Sequence, residues 1–425
     1  MKSVKNGNSK NIGSAARDVR GMTYPPTSSN LRGFEVQIYI CYTRHYLLRG
    51  GPIALALQDV QFDDLTTTNN TLFPLSILSL ATLFFGTQHK NTSITTHGFH
   101  LHGLALQSLN KALSSPQCQF RDDVLLSVIA LVLQEAFIPT GSKYFLKHTS
   151  GLEKLLELRG PSMLSTPESY LMFKSVRKII ILASMRRREP SILAREEWKS
   201  IPWDDESEEG KAEKYLFDVL AEYTVLVSAL DRLLHDRSPE NLESIKQRSD
   251  LGGRGQELLA QLYSWKADWD NHTPHLENAT SSSLTPSTAT TLMLYNTTEI
   301  YILQILASLY PPPSPPLPSL PPFQSPHLPP NFQNPTNYKT LQQKAALQIK
   351  NLIPYHQAHK SQLDPGSLTI GHLAVRTAFL TLGGRGMGGL GVGLDAGWGG
   401  GTLEGEGEGG GKVEVEVFAR GLWGD

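Results

Sequence analysis

Between Leu72 and Tyr310 the apolar residues of this chain recur every third or fourth position, and alternating apolar–polar stretches hardly occur. That period is the helical one, because residues three and four apart share a helix face while a half-buried strand needs every second position. GFHLHGLALQSLNKAL sets Leu101, Leu104, Ala105, Leu109 and Leu113 near one face. DDVLLSVIALVLQEAF opens with two carboxylates, which the positive end of a helix dipole favours, and is then apolar nearly all round. Such a helix belongs in the middle of a bundle. KYFLKHTSGLEKLLELRG follows, with Phe145, Leu152, Leu155, Leu156 and Arg159 at helical spacing. LMFKSVRKIIILASMRRRE, KAEKYLFDVLAEYTVLVSALDRLL, QELLAQLYSWKADW and TLMLYNTTEIYILQILASLY read as further helices. The sequence therefore predicts an all-α, multi-helix, bundle-like domain. No repeat of fixed period argues for a solenoid.

Composition marks the boundaries. Residues 1–33 are rich in Gly, Ser and Asn and are predicted to be disordered. Residues 34–310 hold nearly all the periodicity. Residues 311–337 begin with PPPSPPLPSLPPFQSPHLPP, in which 11 of 20 positions are proline, so a polyproline-like linker or long loop is expected. Residues 338–382 return to helical patterning as C-terminal helices of the same domain, and 383–425 form a Gly-rich low-complexity tail. The most apolar run, LFPLSILSLATLFFG (Leu72–Gly86), is short for a bilayer span and is expected as a buried core helix. The leader lacks the hydrophobic centre of a secretory signal. The Asn-x-Ser/Thr triplets at Asn70, Asn91, Asn278 and Asn296 are then chance matches.

Charge and motifs exclude more than they assert. There are 39 basic and 40 acidic residues, so bulk charge writes no nucleic-acid surface. Cys41 and Cys118 are the two cysteines, too few for a disulfide framework or a cysteine zinc site. GMGGLG, Gly386–Gly391, matches G-x-G-x-x-G, but 16 of the 29 residues from Gly383 to Gly411 are glycine and no helix follows. A dinucleotide fingerprint needs that helix, so no cofactor is expected. HGFHLH offers His97, His100 and His102 without a neighbouring carboxylate or cysteine in sequence. They are expected as partly exposed histidines on a helix, with no metal. MRRREP, with Arg186–Arg188, suits the negative end of a helix. PWDDESEEG, with Asp204–Glu209, reads as a solvated loop. No arrangement of a nucleophile with its base stands out, so no catalytic residues and no enzyme activity are expected.

The stretch KHTSGLEKLLELRGP, Lys147–Pro161, carries the most information. Gly160 can adopt a positive φ that closes a helix, and Pro161 cannot extend it. Around it, HGLALQSLNKAL, DDVLLSVIALVLQEAF and, downstream, EEWKSIPW come in a recognisable order. Together they resemble the fungal-specific transcription factor domain, the helical regulatory region of fungal binuclear zinc cluster regulators. The resemblance rests on a helix reading His-x-x-Gly-x-x-x-Leu-x-x-x-Arg-Gly-Pro, matched by His148, Gly151, Leu155, Arg159, Gly160 and Pro161. Glu197-Trp198 and Pro202-Trp203 match a downstream Trp element, and Leu258, Leu262, Trp265 and Trp269 a later Leu/Trp helix. It covers roughly residues 70–310, and more weakly 338–382.

The resemblance implies structural roles for these residues: a glycine for close helix packing, an arginine at a cap, aromatic anchors. It implies transcription regulation, nuclear residence with the cytoplasm as the alternative, and partners that are other regulators or a second copy of the chain. The family's DNA reader is a six-cysteine cluster, and no cysteine precedes Cys41, so no direct sequence-specific DNA binding is expected. The Gly-rich end also departs from the apolar helices that usually finish such domains. A helical scaffold outside transcription, or a helical enzyme, are the competing readings.

Overall fold

A computed structural model describes residues 34–48, 71–117, 120–141, 143–164, 167–202, 207–235, 242–272, 284–310, 335–358 and 365–383. The leader 1–33, the Pro-rich run 311–334, the tail from 384, and Trp203, Cys118, Asn70 and Asn278 lie outside the described residues. The chain divides into a short unit, Met1–Glu35, and a large one, Val36–Asp425, which carries the architecture below.

Among the described residues the structure is helical, with no strand, as the periodicity requires. The helices are α1 Glu35–Tyr46, α2 Leu72–Gln88, α3 Thr92–Leu113, α4 Asp122–Phe137, α5 Tyr144–Arg159 and α6 Pro167–Arg187. After a short α7, Glu196–Lys199, come α8 Glu208–His235, α9 Leu242–His272, α10 Pro286–Leu309, α11 Pro335–Ala358 and α12 Pro365–Thr381. Helix α3 packs on α2, α2 on α4, α4 on α5, α5 on α6, and α6 on α8. Helix α8 also meets α9 and α10, and α10 carries α11 and α12. One apolar core runs through this series, from Leu47 to Leu373.

The centre of the bundle follows from composition. Thirteen of the sixteen residues of α4 are buried, so the helix that is apolar all round has neighbours all round. Helix α2 is likewise enclosed, and among the described residues no helix is long and apolar enough to cross a membrane. Local punctuation is chemically ordinary. The Asn91 side chain accepts from the Ile94 N–H to cap α3, and Thr285 accepts from the Thr288 N–H to cap α10, with Pro286 in its first turn. Asn296 is buried and donates its amide to the Leu292 carbonyl, which closes that triplet to glycosylation.

Two elements depart from expectation. Glu208 and Glu209 open α8 rather than lying in a loop, where their charge meets the helix's positive end. Helix α9 begins fourteen residues before the expected QELLAQLYSWKADW and runs straight through Leu251-Gly252-Gly253-Arg254-Gly255. Glycine normally weakens a helix, but here it brings α9 against α10. A Cβ on Gly252 would overlap the Tyr310 hydroxyl, and one on Gly255 would sit 3.0 Å from Leu306.

Candidate functional site at the signature helix

The motif residues occupy α5 and the turn after it, and they do not share one role. Leu155 is buried in the core. Arg159 is buried too, and it crosses to the start of α4. Its Nη1 donates to Asp122 Oδ1 at 2.8 Å and its Nη2 to the Arg121 carbonyl at 2.5 Å. The arginine is therefore a latch between helices, not only a complement to the dipole of its own helix.

Gly160 has φ 72° and ψ 167°. The sign of φ is the expected one, but ψ is extended rather than helical, a combination that essentially only glycine adopts. Its N–H donates to the Leu156 carbonyl at 2.9 Å, and Pro161 then opens the 3-10 turn Pro161–Met163. Gly151 overturns its expected role: it is exposed, and a Cβ there would meet nothing within 4 Å. It is not a close-packing glycine. His148 is half-buried, and burial first, then the neighbouring His102 and Lys147, push its imidazole down to about 4. It is neutral at physiological pH.

The residue that organises the site is absent from the motif. Glu153, on the inner face of α5 one turn after Thr149, is buried. Its Oε2 accepts from Arg187 Nη2 at 2.5 Å, and its Oε1 accepts from the Ser191 hydroxyl at 3.1 Å and the Ile192 N–H at 2.9 Å. Arg187 Nη1 also reaches Thr149 Oγ1 at 3.3 Å, and the Ser191 N–H donates to Thr224 Oγ1 on α8 at 2.9 Å. One carboxylate thus ties α5 to the end of α6 and to the turn Ile192–Ala194 that leads into α7. That turn positions Trp198, which is buried and stacks on Phe173 of α6 at 5.7 Å. The two family-like segments, distant in sequence, meet through Glu153. A second, exposed tie joins them at the surface, Arg195 Nη2 to Glu157 Oε1 at 2.7 Å. Within the arginine run 186–188, Arg187 is accordingly paired with Glu153 and Arg188 is held bidentately on Asp231.

A further polar chain lies across α2, α3 and α4. Ser79 Oγ donates to Gln134 Oε1 at 2.7 Å, and Gln134 Nε2 donates to His102 Nδ1 at 2.6 Å. That bond makes Nδ1 an acceptor and leaves the ring proton on Nε2. Of the three histidines in HGFHLH, His97 and His100 are exposed but His102 is buried, contrary to expectation. Burial lowers the His102 pKa and raises that of Glu135, whose carboxylate accepts from the Thr140 N–H and hydroxyl. Their 4.0 Å approach is therefore a contact of two groups held toward neutrality, not an ion pair. Among the described residues no three His, Cys, Asp or Glu side chains gather as a metal site. Along the later Leu/Trp helix, α9, Leu258 and Leu262 are buried, and Trp265 stacks on Trp269 at 5.9 Å and on Tyr215 at 5.0 Å.

The chemistry this arrangement performs is fastening: buried carboxylates and guanidiniums hold helices in register around an apolar core. Three comparisons bear on what such a core is. A stretch of 139 residues is 25% identical to an uncharacterized protein of Emericella nidulans, covering 33% of this chain and 30% of that protein. The match thus spans under a third of that relative's length. No solved structure matches the chain. The profile described as the fungal specific transcription factor domain matches residues 62–354, well over half of the sequence and including every helix from α2 to most of α11. The chain belongs to the fungal specific transcription factor domain family.

Proposed function

We propose that this chain is the regulatory module of a fungal transcription regulator, a helical body that receives signals or partners while base readout comes from elsewhere. The observation that carries this reading is the family match over residues 62–354 in a sequence with only two cysteines, too few for a six-cysteine zinc cluster. Residues 338–382 supply its last helices. His148, Leu155, Arg159, Gly160, Pro161 and Trp198 serve the fold rather than chemistry, and no catalytic role is assigned. The module works in the nucleus, against other regulators or a second copy of itself.

Near-neutral net charge leaves little counterion release to drive binding to duplex DNA. The purified chain is expected to select no motif from a randomised duplex library at physiological salt. A fluorescent fusion expressed from the native locus is expected in the nucleus. Nanomolar, sequence-selective binding would overturn the division of labour. Steady exclusion of the fusion from the nucleus would overturn the regulatory reading and favour a scaffold outside transcription.

A further inference from the structure

Between the end of α6 and helices α8, α10 and α11 lies a surface pocket of about 410 Å³. That volume is in the range of small-molecule sites, which combine an apolar wall with a few placed polar groups. Val227, Leu230 and Ile305 supply the apolar wall. Tyr223, Gln304 and Gln342 supply hydrogen-bonding groups, and Arg188 closes one side. Arg188 is the pocket's one charged lining residue, and Asp231 neutralises it through bonds of 2.6 and 2.5 Å. The Tyr223 phenol is protonated at neutral pH and so able to donate, and burial pushes its pKa further up. The lining therefore offers both donors and acceptors but no net charge.

Backbone conformation gives an independent observation. Arg188 has φ 57°, one of two non-glycine residues with positive φ among those described. It ends α6 in a Schellman turn, its N–H donating to the Met185 carbonyl at 3.2 Å and the Glu189 N–H to the Ser184 carbonyl at 3.1 Å. Glycine fits that position without strain. Lys90 ends α2 in the same way, so a cation there has a local reason in the helix dipole. What sets Arg188 apart is that its guanidinium is fixed on α8 and lines a cavity, and sparsely populated backbone conformations gather at ligand clamps.

We propose that this pocket binds a small uncharged molecule bearing amide or hydroxyl groups on an apolar ring or chain, held by Gln304, Gln342 and Tyr223 beside Arg188. The proposal stands whether or not the chain regulates transcription. Saturation-transfer NMR on the full chain would compare three probes of one size: benzamide, benzoate and benzylammonium. Benzamide is expected to give the strongest signal. Ser308 is exposed on α10 and bonds only within its own helix, so Ser308→Trp fills the pocket without touching the core. That variant should abolish the signal. Arg188→Gly should weaken benzamide binding by about tenfold while the melting temperature holds or rises, because the strained backbone is relieved. No signal from any probe, or a benzamide signal unchanged in Ser308→Trp, overturns the site. A stronger signal from benzoate or benzylammonium overturns the ligand class.

Discussion

Replacing Glu153 by alanine should be the most damaging single change to a polar residue of the signature region. The substitution strips one acceptor from Arg187, removes a long 3.5 Å contact from the Ser184 hydroxyl, and leaves the Ser191 hydroxyl and Ile192 N–H, both in buried residues, without theirs. Each stranded buried donor costs about 1–3 kcal/mol. Arg187 is not left alone, since its Nε also bonds Glu189 at 2.9 Å at the surface. Two stranded donors and one lost charge-assisted bond place the cost at about 3–5 kcal/mol, the scale on which buried ion pairs fail when one partner is removed. Glu153→Gln keeps an acceptor for the Ile192 N–H and should lose about half as much. Urea unfolding at pH 7, followed by circular dichroism and by tryptophan fluorescence, measures both, with an unchanged slope showing that only stability moved. A double-mutant cycle with Arg187→Ala should return a coupling of about 1–3 kcal/mol. A loss under about 1 kcal/mol for Glu153→Ala would refute the clamp and leave the Trp198 turn held by packing alone.

The two motif glycines should behave in opposite ways. Gly160→Val should cost about 1–3 kcal/mol, because the φ 72°, ψ 167° conformation excludes a β-branched residue. Gly151→Ala should stabilise by about 0.5–1 kcal/mol, since the position is helical and a methyl there meets open space. Thermal melts of the two variants check both signs. His148 makes stability depend on pH. Its folded pKa of about 4 lies below the ordinary imidazole value of 6.5, so between those values the unfolded chain binds a proton that the folded chain does not. Stability contributed by the neutral ring is therefore full above about pH 6.5 and falls as the pH drops toward 4, by about 2 kcal/mol after discounting for the exposed ring edge. Denaturation from pH 4 to 7 should show a shallower fall for His148→Gln than for the native chain.

The bundle was legible because its helices announce themselves by period and by caps. The apolar run of α4, the carboxylates of Asp122 and Asp123, and the Gly160-Pro161 stop are local signals that tertiary structure had no reason to override. Glu153 was not legible. A carboxylate one position after Leu152 reads as a solvated edge of an amphipathic helix, and its partners are 31 to 39 residues away. The one available hint was that Thr149, Glu153 and Leu156 line the same helix face as the apolar stripe. The burial of His102 is hidden from the sequence in the same manner, because the amide that satisfies its ring lies on another helix. Helix α9 reads shorter in the sequence because Gly252, Gly253 and Gly255 carry a helix-breaking signal, while the close approach of Gly252 to Tyr310 and of Gly255 to Leu306 is a property of the packed pair. Gly151 misled in the other direction, since resemblance to a motif says where a residue stands and not what surrounds it.

The central claim is that this helical body regulates transcription. The direct measurement is a reporter assay in a fungal host, with residues 34–382 fused to a heterologous DNA-binding domain and its nuclear presence verified by a tag. The account predicts a change in reporter output, up or down, that Glu153→Ala abolishes and Gly151→Ala leaves intact. A folded, nuclear fusion that leaves the reporter at the level of the DNA-binding domain alone would contradict it.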